Sequence, residues 1–247
     1  MRFLNILLLL LIVSSFFSCK KKDLGDCFVS TGEITEEVRE TERYSKIIVR
    51  DNIEIVLSPS SSNLLTVSAG KNLINKIVTE INGDTLIISN NNSCNWVRDF
   101  DVPITVYLPV SQLEEIEYRS IGDINCTDTI FSDTLEINVF EGAGTLNVLT
   151  NSYLVRTNLH YGTAEIKVSG RCNLSYVYSA SFGLIDNRYL ISKQVYVGSK
   201  SSNDVYVNAL STIAATTEGI GNIYYFGNPE NISFNQIGSG QLIKLSQ

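Results

Sequence analysis

Downstream of Leu113, apolar and polar residues alternate in short segments such as LEEIEY, TLEINVF, AEIKVS and NDVYVNA. An alternation with a period of two is typical of strands that bury one face, and the Gly, Asn, Ser and Thr residues between the segments are typical of turns. None of these segments has the 3.6-residue periodicity of an amphipathic helix. The pattern therefore predicts an all-β chain.

The predicted strands repeat with a steady period. Three sets of positions recur once per repeat, at spacings of 18 to 22 residues. A period of about 20 residues predicts a solenoid in which each repeat forms one coil. We expect a parallel β-helix-like solenoid with regular repeats from about residue 113. The three sets are an inward apolar column of Leu113, Leu135, Leu154, Leu174, Val195, Ile213 and Ile232, a turn column of Gly122, Gly144, Gly162, Gly183, Asn203, Gly221 and Gly240, and a second inward column of Ile124, Leu146, Ala164, Ile185, Val205, Ile223 and Leu242.

The segments before Leu113 are also β-prone, but their spacing is irregular. They include SKIIVRD, NIEIVLS, LLTVSAG, DTLIISN and PITVYLP. The NGD at residues 82–84 has the composition of a tight hairpin turn. We therefore expect a partly antiparallel N-terminal part that caps the solenoid, because an uncovered end coil invites association of strand edges.

The first residues have the features of an export signal. Arg2 precedes an apolar run over residues 3–17, which is short for a bilayer core of about 30 Å. The run ends in FFSC, which resembles a bacterial lipoprotein processing site with Cys19 as the lipidated residue. The predicted organisation is a signal peptide (1–18), a lipid-anchored tether (19–27) and the solenoid domain (28–247), located at the outer membrane with either the periplasmic or the external face open. Plain secretion is the alternative.

Charge excludes one class of partner. Residues 1–22 hold four of the 19 basic residues, and Lys20, Lys21 and Lys22 would lie near the lipid headgroups. The body beyond them keeps 15 basic against 26 acidic residues, a formal net charge of −11. Such a surface repels polyanions, so no nucleic-acid partner is expected.

If Cys19 carries lipid, four cysteines remain. Cys126 and Cys172 should point inward in coils about 10 Å apart, beyond the roughly 7 Å that a disulfide spans, and are predicted to be buried free thiols. Cys27 and Cys94 lie outside the regular repeat and are the disulfide candidates. With one histidine and no C-x-x-C pair, neither a metal site nor a cofactor is expected.

Four stretches resemble one known family. DCFVSTGEITEEVRE, AGKNLINKIVTEINGDTLIIS, CNWVR and GIGNIYYFGNPENISFNQIGSGQL are similar to the putative auto-transporter adhesin, head GIN domain family. The resemblance implies a secreted or lipid-anchored β-helical envelope protein. It implies no catalytic residues, because the family has no established activity.

One outward column is a candidate ligand-binding surface. Amides, carboxylates and tyrosines on one face suit sugar hydroxyls and rings, although such ladders also simply stabilise stacked strands. Tyr206 and Tyr224 hold the same position relative to the turn column, so we expect their rings to stack one coil apart on the outside. The column comprises Asn125, Asn147, Glu165, Asp186, Tyr206 and Tyr224.

No catalytic residue is predicted. Asp123, Asp128 and Asp133 form an acidic cluster that could serve acid/base chemistry on a polysaccharide, but aspartate beside turns commonly binds backbone amides. His160 has no nucleophile motif beside it. The expected function is a non-enzymatic, lipid-anchored adhesin or a module that binds a glycan or an envelope protein. The alternatives are a polysaccharide-active enzyme and a purely structural envelope component.

Overall fold

A computed structural model describes residues 30–93 and 103–246 of the chain. Its strands form one mixed 17-stranded sheet that winds into a solenoid, so the predicted all-β solenoid is confirmed. The described part also has one short 3-10 turn at Ile74–Lys76. None of its helical segments is long and apolar enough to cross a membrane.

Seventeen strands, numbered in chain order, make up the sheet. They are β1 (Ile34–Glu40), β2 (Lys46–Asp51), β3 (Ile53–Pro59), β4 (Leu64–Gly70), β5 (Ile77–Asn82), β6 (Thr85–Asn90), β7 (Ile104–Val110), β8 (Glu115–Ser120), β9 (Ile124–Cys126), β10 (Ile130–Val139), β11 (Thr145–Leu159), β12 (Glu165–Ser179), β13 (Leu184–Ser199), β14 (Val205–Thr217), β15 (Ile223–Phe226), β16 (Asn231–Gln236) and β17 (Leu242–Lys244).

Parallel pairing between coils builds the regular part. Strands β10 to β14 pair in sequence, and β14 then pairs with both β15 and β16. The alternation of side chains sends every second residue inward, so an apolar core runs along the solenoid axis. One inner ladder is formed by Leu146, Ile166, Ile185, Val205, Ile223 and Leu242.

The first predicted inward column is wrong at two positions. Leu135 pairs with Val155, twenty residues later, and Val155 pairs with Ser175. Leu154 and Leu174 are half-buried and belong to the neighbouring ladder. Because side chains alternate, a spacing of 19 instead of 20 residues moves a position to the opposite face. Leu154 lies near the expected spacing and is strongly apolar, but the inward residue of this coil is Val155.

The turn column is wrong at one coil. Gly162 lies over Gly142, where an added Cβ would be 2.7 Å from the Gly142 carbonyl oxygen. Ala164 takes the place beneath Gly183 in the turn column. Consequently Ile166, not Ala164, pairs with Leu146 in the second inward column. Because the prediction places Gly162 in the turn column instead of Ala164, the predicted positions from this turn onward are two residues too early in this coil.

The N-terminal part confirms the predicted antiparallel cap and adds an unexpected order. β5 and β6 form a hairpin across Gly83, whose φ is +65°, and β4 pairs antiparallel with β1 and β7. The coil of β2 and β3 lies between the β6–β7 coil and the β8–β9 coil, with parallel pairing on both sides. Coils in this region therefore do not stack in chain order.

Candidate ligand-binding surfaces

The predicted outward column exists as a ladder along one side of the solenoid. The Asn147 amide donates to the Asn125 side-chain oxygen at 2.8 Å, and Asp186 pairs with Tyr206 in the next coil. Asn147, Asp186 and the exposed Tyr189 contribute to the lining of a hollow of about 340 Å³. The ladder is polar at its N-terminal end and aromatic toward its C-terminal end.

Glu165 does not belong to this ladder, which corrects the predicted set. It pairs with Thr145 and Leu184, and Lys167 occupies the place between Asn147 and Asp186. The cause is the same two-residue shift that affects Ala164. The Lys167 ammonium contacts the Glu165 carboxylate at 2.8 Å, so the two side chains still meet at the surface.

Tyr206 and Tyr224 stack as predicted, with ring centroids 5.1 Å apart and planes inclined by 12°. The Arg188 guanidinium lies 4.3 Å from the Tyr206 centroid and contacts Asp186 at 2.7 Å. The faces of the Tyr206 ring are therefore occupied by Tyr224 and Arg188. Burial raises the pKa of the Tyr206 phenol. Stacking of a sugar ring on this tyrosine would require displacement of a neighbour, and a ligand role for the ladder stays a prediction.

A larger groove follows a different corner of the solenoid. It lies where β11, β12 and β13 bend, at Tyr153 and at the matching positions of the next coils, and its volume is about 1100 Å³. Phe131 and Tyr153 line it with exposed fractions of 65% and 59%, and Leu210 is also exposed. Unlike the stacked tyrosines, neither of these rings is in a ring-to-ring stack within the described residues.

Acidic and basic residues line opposite ends of the groove. Glu114 and Asp133 lie toward its N-terminal end, and Arg171 and Lys193 lie two and three coils further on. Neither cation has a side-chain hydrogen bond or ion pair within residues 30–93 and 103–246. Asn151 and Asn173 add amides between these charges, and can both donate and accept. The groove thus offers aromatic faces, amides and unpaired charges along the solenoid axis.

The floor of the groove is fixed by its own hydrogen bonds. The Ser152 hydroxyl lies 2.9 Å from the Ser132 hydroxyl and 2.7 Å from the Thr150 hydroxyl. The Cys172 thiol donates to the Ser192 hydroxyl at 3.2 Å. The Ser132–Ser152 and Cys172–Ser192 contacts join neighbouring coils, so they hold side chains of the groove floor in place.

Sequence reasoning missed this groove, although the chain carries one signal for it. Tyr153 and Leu154 are two consecutive large apolar residues that break the alternation, and both turn away from the core. Such a break is typical of a bend in a strand, and exposed aromatic residues are typical of contact surfaces.

The other candidate residues have structural contacts. The Asp123 carboxylate accepts the Thr145 amide at 2.8 Å, and the Asp128 carboxylate accepts the Thr129 amide at 2.7 Å, as expected of turn aspartates. His160 stacks on Phe140 with centroids 4.6 Å apart. Within the described ranges, no group of three or more His, Cys, Asp or Glu residues is arranged to hold a metal ion.

Cys126 and Cys172 are free thiols, as predicted, with Cys172 buried and Cys126 half-buried. Burial raises the pKa of each thiol to about 11. Cys19, Cys27 and Cys94 lie outside the described residues, so lipidation and the Cys27–Cys94 pairing stay predictions.

The described residues thus form a solenoid of stacked strands with a polar and aromatic groove on its outside. The chain belongs to the family described as putative auto-transporter adhesin, head GIN domain, whose model matches residues 43–229. The family predicted from the sequence motifs is thereby confirmed.

Solved structures share this fold. The chain is similar to a putative adhesin from Bacteroides fragilis NCTC 9343, with a TM-score of 0.77 and 20% identity over 86% of this chain and 97% of the other. A putative lipid binding protein from Parabacteroides distasonis ATCC 8503 gives 0.69 and 20% identity over 87% and 99%. A putative adhesin from the same strain gives 0.66 and 17% identity over 87% and 98%. No curated protein matches the chain.

Proposed function

We propose that the chain is a non-enzymatic, lipid-anchored envelope protein that binds glycan chains in the corner groove. The observation that carries this proposal is the exposure of Phe131 and Tyr153 beside amides and charges in one groove. Binding sites commonly combine apolar or aromatic walls with a few placed polar groups. Membership of an adhesin family supports a surface-binding role in general.

The groove suits a linear ligand because it repeats along the solenoid axis. Successive coils contribute Asp133, Tyr153, Asn173 and Lys193 at corresponding corner positions. Neighbouring strands are about 4.8 Å apart, so a polymer laid along the axis meets a new side chain at that interval. A glycan offers hydroxyls for the amides and charges, and apolar ring faces for the aromatic residues.

Lipidation of Cys19 would hold the solenoid at a membrane. The FFSC sequence and the lysines at 20–22 support this part of the proposal. The predicted site is the outer membrane, with the groove facing either the periplasm or the outside.

A second candidate function is polysaccharide cleavage, since two carboxylates, Glu114 and Asp133, line the same groove. Pairs of carboxylates perform acid/base chemistry on glycosidic bonds. Release of new reducing ends or unsaturated sugars, abolished in Asp133→Asn, would favour this function over binding alone.

The test of the binding function is a glycan array with the mature chain, followed by titration of each hit. Phe131→Ala and Tyr153→Ala each remove an aromatic contact worth about 0.5 to 1.5 kcal/mol, so the double variant should bind at least roughly five-fold more weakly. Tyr161→Ala is the matched control, because Tyr161 is equally exposed but does not line the groove. Absence of binding to every glycan, or an equal loss in the control, would contradict the proposal.

A further inference from the structure

The two ends of the solenoid are finished differently. At the N-terminal end, β5 covers β6, and β1 covers β4. The outermost strands there are β1, with the charged sequence ITEEVRE, and β5, with the sequence IVTEIN. At the opposite end, β16 and β17 pair only with β14 and β15 among the described residues. The outermost strands at both ends pair on one side only within the described residues. At the N-terminal end they lie antiparallel across the last coil and carry charged residues, so we call that end capped and the opposite end uncapped.

Core positions reach the surface at this second end. Ile232 continues an inner ladder from Ile213, yet Ile232 is 53% exposed and Ile213 is 0% exposed. Phe234 continues the ladder of Ala215, and their exposed fractions are 36% and 4%. Two residues that occupy core columns are thus left without the coil that would cover them.

The edge strand itself lacks the usual protection against pairing. Natural edge strands carry charges, prolines or bulges that prevent association. β16 reads NISFNQ and contains neither a charged residue nor a proline, although the body of the chain carries a net charge of −11. Each of its six residues is exposed. The composition of β16 therefore favours pairing with another strand.

We propose that a second copy of this chain covers this end, with β16 pairing antiparallel to β16 of the partner about a two-fold axis. We place Ser233 beside the two-fold axis, where it pairs with Ser233 of the other copy. The sum of paired residue numbers is constant in an antiparallel pair, so Ile232 of one copy then pairs with Phe234 of the other. Residues with the same parity share a face, so the two apolar columns become continuous across the junction.

Two features favour a second copy as the occupant. A two-fold interface requires a surface that complements itself, and an uncharged strand meets its own copy without like-charge repulsion. The partner must also supply apolar residues that extend the inner columns of Ile232 and Phe234. The same end of a second molecule supplies them, because its own Ile232 and Phe234 lie at the junction. The carboxylates of β1 at the capped end oppose head-to-tail stacking, so the expected product is a closed dimer and not a filament.

The first test is sedimentation velocity of the mature chain over a range of concentrations. The wild type should sediment as a dimer, and Ile232→Lys and Phe234→Lys should each shift it to monomer by burying a charge at the junction. Ile121→Lys is the matched control, because Ile121 is 57% exposed on a side of the solenoid and should leave the dimer intact. Circular dichroism of each variant establishes that it is folded.

A second test does not depend on disrupting the strand. Ser233→Cys should form a disulfide-linked dimer under mild oxidation, because the two engineered thiols lie beside the axis. Ser202→Cys, in an exposed turn, should not, and the wild type reports any contribution of the native cysteines. A wild type that stays monomeric, a dimer unaffected by both β16 lysine variants, or growth into filaments would overturn the inference. None of these outcomes depends on glycan binding in the groove.

Discussion

At the residue scale, the two described thiols make a specific contribution to pH dependence. Burial raises the pKa of Cys126 and of Cys172 from 9.0 to about 11, so the folded state holds these protons more tightly than the unfolded state. The two protonated thiols make their full contribution to the free energy of unfolding when the pH is below the thiol pKa of the unfolded chain. This contribution is lost as the pH rises through the thiol pKa of the folded protein. We expect stability to fall as the pH rises from about 9 to about 11.

Urea unfolding across this pH range checks the expectation. Tyrosines and lysines also titrate in alkali, so the informative quantity is the difference between the wild type and the Cys126→Ala, Cys172→Ala double variant. The double variant should lose less stability between about pH 8 and about pH 11 than the wild type. Parallel pH profiles for the two proteins would contradict the assignment.

The position of an outward residue could be predicted from the sequence only where the corner residue of its coil was identified correctly. Tyr206 and Tyr224 could be predicted to stack because their coils have corner residues at a fixed distance before them. Glu165 was misassigned because its coil has Gly162 in one corner column and Ala164 in the other. The groove could not be predicted, since it arises from the bend at Tyr153, and a bend depends on packing across several coils.

At the scale of elements, close approach between coils depends on glycines at particular positions. Gly170 in β12 has φ of +110°, and a Cβ there would overlap the Thr150 carbonyl oxygen of β11. Gly170→Ala should therefore lower the free energy of unfolding by about 1 to 3 kcal/mol for the backbone alone, and by more because of the overlap. Chemical denaturation of the variant measures the change.

Gly198→Ala is the control for the loss of a glycine in a strand. Gly198 does not have a positive φ, and the nearest heavy atom to an added Cβ is a ring carbon of Tyr178 at 3.9 Å. This substitution should change stability by less than about 1 kcal/mol. Equal effects at the two positions would show that coil contact at Gly170 is not the cause.

Element order was predictable only where chain order and stacking order agree. The period near twenty residues predicted the regular coils because each one pairs with the next along the chain. The N-terminal hairpin followed from the local turn sequence at residues 82–84. The position of the β2–β3 coil between β6–β7 and β8–β9 depends on pairings between distant segments, which no local pattern specifies.

At the scale of the whole molecule, the solenoid has two different surfaces, the corner groove along its axis and the uncapped end across its axis. The corner groove runs across successive coils, so several side chains can contact one extended ligand at once. The uncapped end lies across the axis, and no residue of β16 is among those that line the groove. Pairing of two copies at this end would therefore join two grooves in one particle, and bivalent binding can strengthen attachment to a surface without any new contact.

Attachment of the molecule to the membrane should depend on Cys19. Cys19→Ala should abolish labelling by a fatty-acid probe and move the protein from the membrane fraction to the soluble fraction or to an unprocessed form. The physical reason is that acyl chains contribute about 0.8 kcal/mol per buried CH₂, whereas the three lysines at 20–22 contribute roughly 1 kcal/mol each. Replacement of these lysines by glutamine is the control and should leave most of the protein in the membrane fraction. Membrane partitioning that is unchanged in Cys19→Ala would reject the lipid anchor and favour secretion without one.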